Sequence, residues 1–181
     1  MARWTTWGGE SVVALPLVAA VGAWTGGPQL ARRGRRAALL TAALAVGLMT
    51  RIGIAHAVAR SRPPRGDWAG GAGGFAFPSG HTTAATVAAG LIAWAVLRRH
   101  RNADAGPAPT SARRRWVVIG AAALAAALVG WSRVWLGVHW PLDVVGAWLL
   151  GVAWLALCGI VFAFLAETVT TRAATPEVVT R

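Results

Sequence analysis

Residues 144–165 read VVGAWLLGVAWLALCGIVFAFL, 22 consecutive positions without a charged side chain. At about 1.5 Å per residue a helix of that length spans roughly 33 Å, enough to cross the hydrocarbon core of a bilayer. Nothing in that core can hydrogen-bond a bare backbone amide, so the stretch must be helical. Four more apolar segments lie N-terminal to it. Trp116–Trp131 and Thr82–Leu97 are shorter, Ala37–Val58 is interrupted by Arg51 and His56, and Ser11–Trp24 is the weakest. The expected fold class is therefore all-α: a polytopic bundle of about five, or six, transmembrane helices forming one membrane-embedded domain over residues 1–181. With a single early arginine, Arg3, and no convincing cleavage site, a retained first helix is a better reading than a signal peptide.

Composition agrees. Of 181 residues, 56% are hydrophobic and 13% charged, where a soluble domain is nearer a quarter charged; mean hydropathy is +0.53. A net charge of +12 could point to nucleic acid, but the arginines cluster between apolar segments and no recognition module accompanies them. No repeat of 20–50 residues is present. The one cysteine, Cys158, sits inside an apolar run and reads as a small buried hydrophobe.

Five helices group the first connection, the third connection and the C-terminal tail on one side. That side holds Arg32, Arg33, Arg35, Arg36, Arg98, Arg99, Arg101, Arg113, Arg114, Arg115, Arg172 and Arg181, twelve in all. The other side holds five: Arg3, Arg60, Arg62, Arg65 and Arg133. By the positive-inside rule the second connection (Ala59–Gly80) and the fourth (Ser132–Pro141) face away from the cytoplasm. Nearly all the unusual polar residues lie in these two connections, so two loops far apart in sequence are expected to meet on one face.

Three clusters fall there: Arg60-Ser61-Arg62-Pro63, Pro78-Ser79-Gly80-His81, and Ser132-Arg133 followed by His139 and Asp143. Together they resemble the signature of the type 2 phosphatidic acid phosphatase superfamily, K-x6-R-P, P-S-G-H and S-R-x5-H-x3-D. The second and third parts match at every defined position, and the resemblance covers about residues 55–151, the expected catalytic core. One position departs: Ala55 stands where the family has lysine, and the chain contains no lysine. Arg51, one turn earlier on the same helix face, His56 or Arg60 are the accessory candidates for the missing charge.

The residues support the same chemistry on their own terms. An attacking imidazole must be neutral at one nitrogen and held at the other. His139 is the candidate nucleophile, with Asp143 four residues on to fix its tautomer, as in catalytic triads. Taken alone, Asp143 would read as the acidic first turn of a helix begun by Pro141. Ser79 reads as the N-cap of the third helix, and Gly80 lets a ligand approach the free N–H groups and positive dipole end of that terminus. His81 fits a general acid for the leaving oxygen, its bland alternative being an interfacial histidine. Arg62 and Arg133 carry planar forks suited to phosphate oxygens. Arg51 could equally snorkel or pair with Glu10, and Arg60 and Arg65 could contact lipid head groups. Many of the eleven tryptophans lie near helix ends, as interface anchors do.

With six acidic residues, and only Asp67 and Asp143 near the outward cluster, no metal site can be drawn, and no cofactor is expected. The resemblance implies hydrolysis of a phosphomonoester or diphosphate of a lipid through a phosphohistidine intermediate. A polyprenyl diphosphate is the first expectation and a glycerolipid phosphate such as phosphatidate or phosphatidylglycerophosphate the second. Expected partners are that substrate and membrane lipids, not nucleic acid, in a multi-pass protein of the cell membrane with an extracytoplasmic site. The rivals are a vanadate-binding relative of the haloperoxidase type, which the helices argue against, and a non-catalytic lipid-binding or transport protein, supported only by the missing lysine.

Overall fold

The computed structural model describes residues 5–103 and 109–174. They form five helices, α1 (Thr5–Thr25), α2 (Leu30–Val58), α3 (Gly80–Ala103), α4 (Pro109–Trp135) and α5 (Pro141–Ala174), with a short 3-10 turn at Arg65–Asp67. Among the described residues there is no strand. Four helices are long and apolar enough to cross a membrane, over Leu30–Val58, Gly80–Arg101, Ala112–Trp135 and Pro141–Leu165, while the apolar part of α1, Val12–Thr25, is shorter.

Two helix boundaries differ from the expectation. α2 begins at Leu30, so Arg32, Arg33, Arg35 and Arg36 form its first turns rather than a connection. α4 runs on to Trp135 and absorbs Ser132 and Arg133, leaving a loop of only five residues, 136–140. Arginine is a good helix former, and its long stem lets the charge reach the interface from inside a helix end. Charge therefore does not mark where these helices stop.

α3 is the strut of the bundle. In its most apolar window 56% of residues are buried, against 11% for α4 and for α5. Its sequence, GHTTAATVAAGLIAWAV, is mostly small residues, which let neighbouring helices approach closely where apolar surface alone gives no driving force. The core joins Val18 of α1, Leu40, Leu44 and Leu48 of α2, and Ala84, Val87, Ala88, Leu91 and Ala95 of α3. The i, i+4 stripe on α2 continues through Arg51 to Ala55, so the helix that buries those leucines also delivers Arg51 to the inner face at its far end. Outward-facing Trp116, Leu124, Leu128, Leu149, Val152 and Phe164 are all more than half exposed, as lipid-facing side chains are.

The two ends of the bundle are chemically distinct. At one end Arg36 donates to the Thr25 carbonyl, Arg99 donates to the Trp24 carbonyl at 3.0 Å, and the Arg99 guanidinium lies 4.7 Å over the Trp24 ring. At the other end lie the α2–α3 and α4–α5 loops. Gly137, at φ +69°, packs so closely on the Asp67 carbonyl that a Cβ there would overlap it. Ala69 N–H donates to Leu136 O at 3.1 Å, and Trp140 Nε1 donates to Ser61 O at 3.1 Å. The two loops meet, as their shared side of the bundle requires.

Candidate active site

His139 lies in the short α4–α5 loop, two residues before Pro141, which opens the last helix. It is 3% exposed, and Asp143, in the first turn of α5, is fully buried. The Asp143 carboxylate accepts from the Trp140 backbone N–H through Oδ2 at 2.9 Å. That oxygen stands 3.4 Å from His139 Nδ1. At that separation the contact is longer than an aligned hydrogen bond, and Nδ1 has no hydrogen-bond partner. Catalytic contacts are often long before a substrate tightens them.

The opposite ring nitrogen fixes the tautomer. Arg62 Nη1 lies 2.9 Å from His139 Nε2, and a guanidinium can only donate. Nε2 therefore carries a lone pair, and the proton belongs on Nδ1, facing Asp143. Burial holds the imidazole below its ordinary range, and the charges of Arg62 and Arg51 act the same way, while Asp143 pulls it upward. Lowering the pKa favours the neutral ring, whose Nε2 lone pair, here held by Arg62, is what a nucleophile needs.

Arg62 engages all five of its donors. Besides His139, Nε donates to Gly74 O at 3.1 Å, Nη1 to Val138 O at 2.9 Å, and Nη2 to Gly73 O at 2.8 Å and Phe75 O at 3.2 Å. The side chain thus ties the glycine-rich part of the α2–α3 loop to the loop that carries the histidine.

The Pro78-Ser79-Gly80-His81 stretch leads into α3, which begins at Gly80. Ser79 occupies the position before the helix, as expected of an N-cap, and is fully buried. Its hydroxyl accepts from Thr82 Oγ1 at 3.0 Å, its carbonyl accepts from Thr83 N–H and Oγ1 at 2.9 Å, and its N–H donates to the Asp143 carbonyl at 3.0 Å. That last bond seats the N-terminus of α3 directly against the first turn of α5. His81, one residue into α3, borders an apolar groove of about 670 Å³ that runs between α1, α3 and α4 past Val13, Leu17, Ala85, Val118 and Val129.

Arg133 ends up on the last turn of α4, its Nε 3.1 Å from Ser132 Oγ, and its carbonyl accepts from Val138 N–H at 3.3 Å. Of the accessory candidates, Arg51 donates through Nε to Pro78 O at 2.8 Å, beneath the motif itself; the side chain of Glu10 lies outside the described residues. His56 is exposed and meets the Phe75 ring edge-on at 5.3 Å between centroids. Ala55 is 4% exposed. Arg60 Nη1 lies 3.2 Å from Asp143 Oδ1. That pairing, the buried Thr82 and Thr83, and the four carbonyls around Arg62 were not foreseen from the sequence. The Arg60-Ser61-Arg62 stretch marks only that two guanidinium groups share one short segment; nothing in the sequence marks their partners. Among the described residues no cluster of three His, Cys, Asp or Glu side chains could hold a metal ion.

Comparison with known proteins converges on one family. An undecaprenyl-diphosphatase of Sulfolobus acidocaldarius is 34% identical over 86 residues, 48% of this chain and 32% of that protein. Phosphatidylglycerophosphatase B of Bacillus subtilis is 36% identical over 78 residues, 43% of this chain and 34% of that protein. The chain therefore spans about a third of the length of these curated relatives. The crystal structure of the first transmembrane PAP2 type phosphatidylglycerolphosphate phosphatase, from Bacillus subtilis, superposes with a TM-score of 0.67 at 25% identity, covering 83% of this chain and 72% of that one. The likeness extends to a transmembrane protein, in keeping with the four long apolar helices. Because the model of the PAP2 superfamily matches residues 36–166, most of the chain and all of the histidine, serine and arginine cluster, this membrane protein belongs to that superfamily.

Proposed function

We propose that the chain is an integral membrane lipid phosphatase that transfers a phosphoryl group to His139 Nε2 and then to water. The observation that carries this reading is a buried His139 whose Nε2 faces Arg62 and whose Nδ1 faces a fully buried carboxylate, with the Ser79 N–H at the start of α3 bonded to the Asp143 carbonyl. Attack by Nε2 forms the P–N bond as the bond from phosphorus to the leaving oxygen breaks. His81 supplies that oxygen's proton, and Asp143 balances the charge that develops on the ring. Water then attacks the phosphohistidine, His81 taking a proton back, and phosphate leaves with Nε2 restored.

Ser79, Gly80, Arg62 and Arg133 bind the phosphoryl oxygens, the backbone N–H groups of the helix start contributing as an anion site. Phosphate entry exchanges the Arg62 bond to Nε2 for one to a phosphoryl oxygen, which unmasks the nucleophile only when substrate is present. Arg51, hydrogen-bonded to Pro78 O and close enough to depress the His139 pKa, supplies the positive charge that Ala55 lacks.

The apolar groove that ends at His81 suits a long hydrocarbon chain whose leaving oxygen arrives at the acid. A polyprenyl diphosphate is the first substrate reading, supported by likeness to an undecaprenyl-diphosphatase. Phosphatidylglycerophosphate or phosphatidate is the second, favoured by the resemblance of most of the fold to a phosphatidylglycerolphosphate phosphatase. The catalytic end faces away from the cytoplasm in the cell membrane, because the opposite end carries most of the arginines.

Phosphate release by the purified full chain from a panel of polyprenyl diphosphate, phosphatidylglycerophosphate and phosphatidate tests the proposal. Turnover of at least one, unaffected by EDTA and reduced by several orders of magnitude in His139→Ala and in His81→Ala, is the expected result. Release by His139→Ala at the wild-type rate would sink it.

A further inference from the structure

The buried carboxylate of Asp143 raises a question of charge. A carboxylate with no exposed surface needs a countercharge or a full set of donors, and in the resting site the ring beside it is neutral. Oδ2 is occupied by the Trp140 N–H and faces His139 Nδ1. Oδ1 has one cation, Arg60, at 3.2 Å.

Arg60 reaches that position because of how α2 ends. Ala59 adopts the left-handed conformation at φ 51°, and its N–H closes onto the Ala55 carbonyl at 2.9 Å. The chain reverses there, and the Arg60 carbonyl accepts from Ala76 N–H at 2.8 Å. Its backbone is thus pinned to the far end of the α2–α3 loop while its side chain turns toward α5. Two residues on, Arg62 points to the opposite face of the same imidazole. One tripeptide therefore places a guanidinium at each end of the line Asp143–His139.

We propose that Arg60 is a positioning residue for the nucleophile, holding the Asp143 carboxylate so that Oδ2 stays directed at His139 Nδ1 throughout turnover. The inference rests on His139 acting as the nucleophile, as proposed above. Arg60 touches neither the attacking nitrogen nor the leaving group. It fixes one oxygen of the carboxylate, which prevents the group from rotating about its bond to Cβ when the imidazole passes from neutral to charged and back. At 35% side-chain exposure the guanidinium stays partly hydrated, so it serves as countercharge in the resting state without competing strongly for the carboxylate once the imidazolium forms.

The effect of removing such a partner is read in kcat. Arg60→Ala should lower kcat by about 10–100-fold, by analogy with loss of the outer partners that orient metal-bound histidines, with KM changed less than about threefold. Arg60→Lys should recover most of the loss, since a single ammonium can reach Oδ1. In an Asp143→Asn background the same Arg60→Ala change should have no further effect, because the two residues act as one unit. Arg60→Gln, which keeps the length without the charge, serves where the alanine variant does not fold, and should match it in kcat.

A tenfold rise in KM with kcat unchanged would overturn the proposal and make Arg60 a contact for substrate. Equal losses from Arg60→Ala in the wild-type and Asp143→Asn backgrounds would overturn it as well. Wild-type kcat in Arg60→Ala, in a chain whose activity still depends on His139, would refute the positioning role while leaving the histidine mechanism standing. Activity independent of His139 would instead remove the mechanism itself.

Discussion

Arg62→Lys keeps one positive charge at the centre of the site and removes the planar fork. In the wild-type chain that fork directs bonds to Gly73 O, Gly74 O, Phe75 O, Val138 O and His139 Nε2. An ammonium has three donors, so at least two of the five acceptors lose their partner. A hydrogen bond to a charged group contributes about 1.5–3 kcal/mol when fully buried. Because Arg62 is only half-buried, water takes up part of the loss, and about 1–1.5 kcal/mol per bond is the fitting scale. Two bonds then amount to about 2–3 kcal/mol, a roughly 30- to 150-fold rise in the population of the opened loop around Gly73–Phe75. Limited proteolysis of the full chain in detergent reads that population, since cleavage follows the opening equilibrium when reclosure is fast. New cleavage among residues 70–76 should appear about 30–150 times sooner than in the wild type, and phosphate release should fall by about 10²–10³-fold. Unchanged cleavage together with lost phosphate release would refute the reasoning, because Arg62 would then grip phosphate without organising the loop.

Two further outcomes follow from the site. As pH falls, kcat/KM should drop through a pKa below about 6.5, since the nucleophile must be neutral and burial, Arg62 and Arg51 hold His139 low. Asp143 acts in the raising direction, so the residual activity of Asp143→Asn should titrate at still lower pH, and a shift upward would contradict the assignment. Sidedness is tested with single cysteines at Ala72 and at Ala105 in a Cys158→Ala background, using a membrane-impermeant thiol reagent on intact cells. Labelling is expected at 72 and not at 105, and the reverse pattern would turn the pocket toward the cytoplasm.

The helices were legible because each is centred on an apolar run, of 22 uncharged residues in α5 and shorter or interrupted in the others, that a sequence displays directly. Their ends were not. Arg32 to Arg36 look like a connection and are helical, and Ser132-Arg133 look like a loop and form the last turn of α4. Within the site, the residues that carry distinctive side chains were visible by spacing: Ser79, His139 and Asp143 meet where α3 starts against α5, while His81 borders the apolar groove. The acceptors of Arg62 were invisible because every residue has a carbonyl, and nothing in Gly73-Gly74-Phe75 marks those particular ones. Ala55 shows the converse. Its departure from the family pattern was plain in the sequence, but that the stripe of Leu40, Leu44 and Leu48 brings Arg51 under Pro78 needed the packing of α2 on α3.

The division between a buried α3 and two lipid-bathed helices has a mechanical meaning. The N-terminus proposed to bind the phosphoryl group sits on the strut, while the proposed nucleophile and its carboxylate sit at the turn of the α4–α5 hairpin, whose outer surface is apolar and exposed. The seam between these halves includes the bond from Ser79 N–H to the Asp143 carbonyl. A bilayer that is too thick or too thin tilts helices, and tilt of this hairpin would move the attacking nitrogen relative to the phosphate it must reach. On the proposed mechanism, kcat should therefore vary with the acyl-chain length of the host membrane, independently of how well the substrate dissolves.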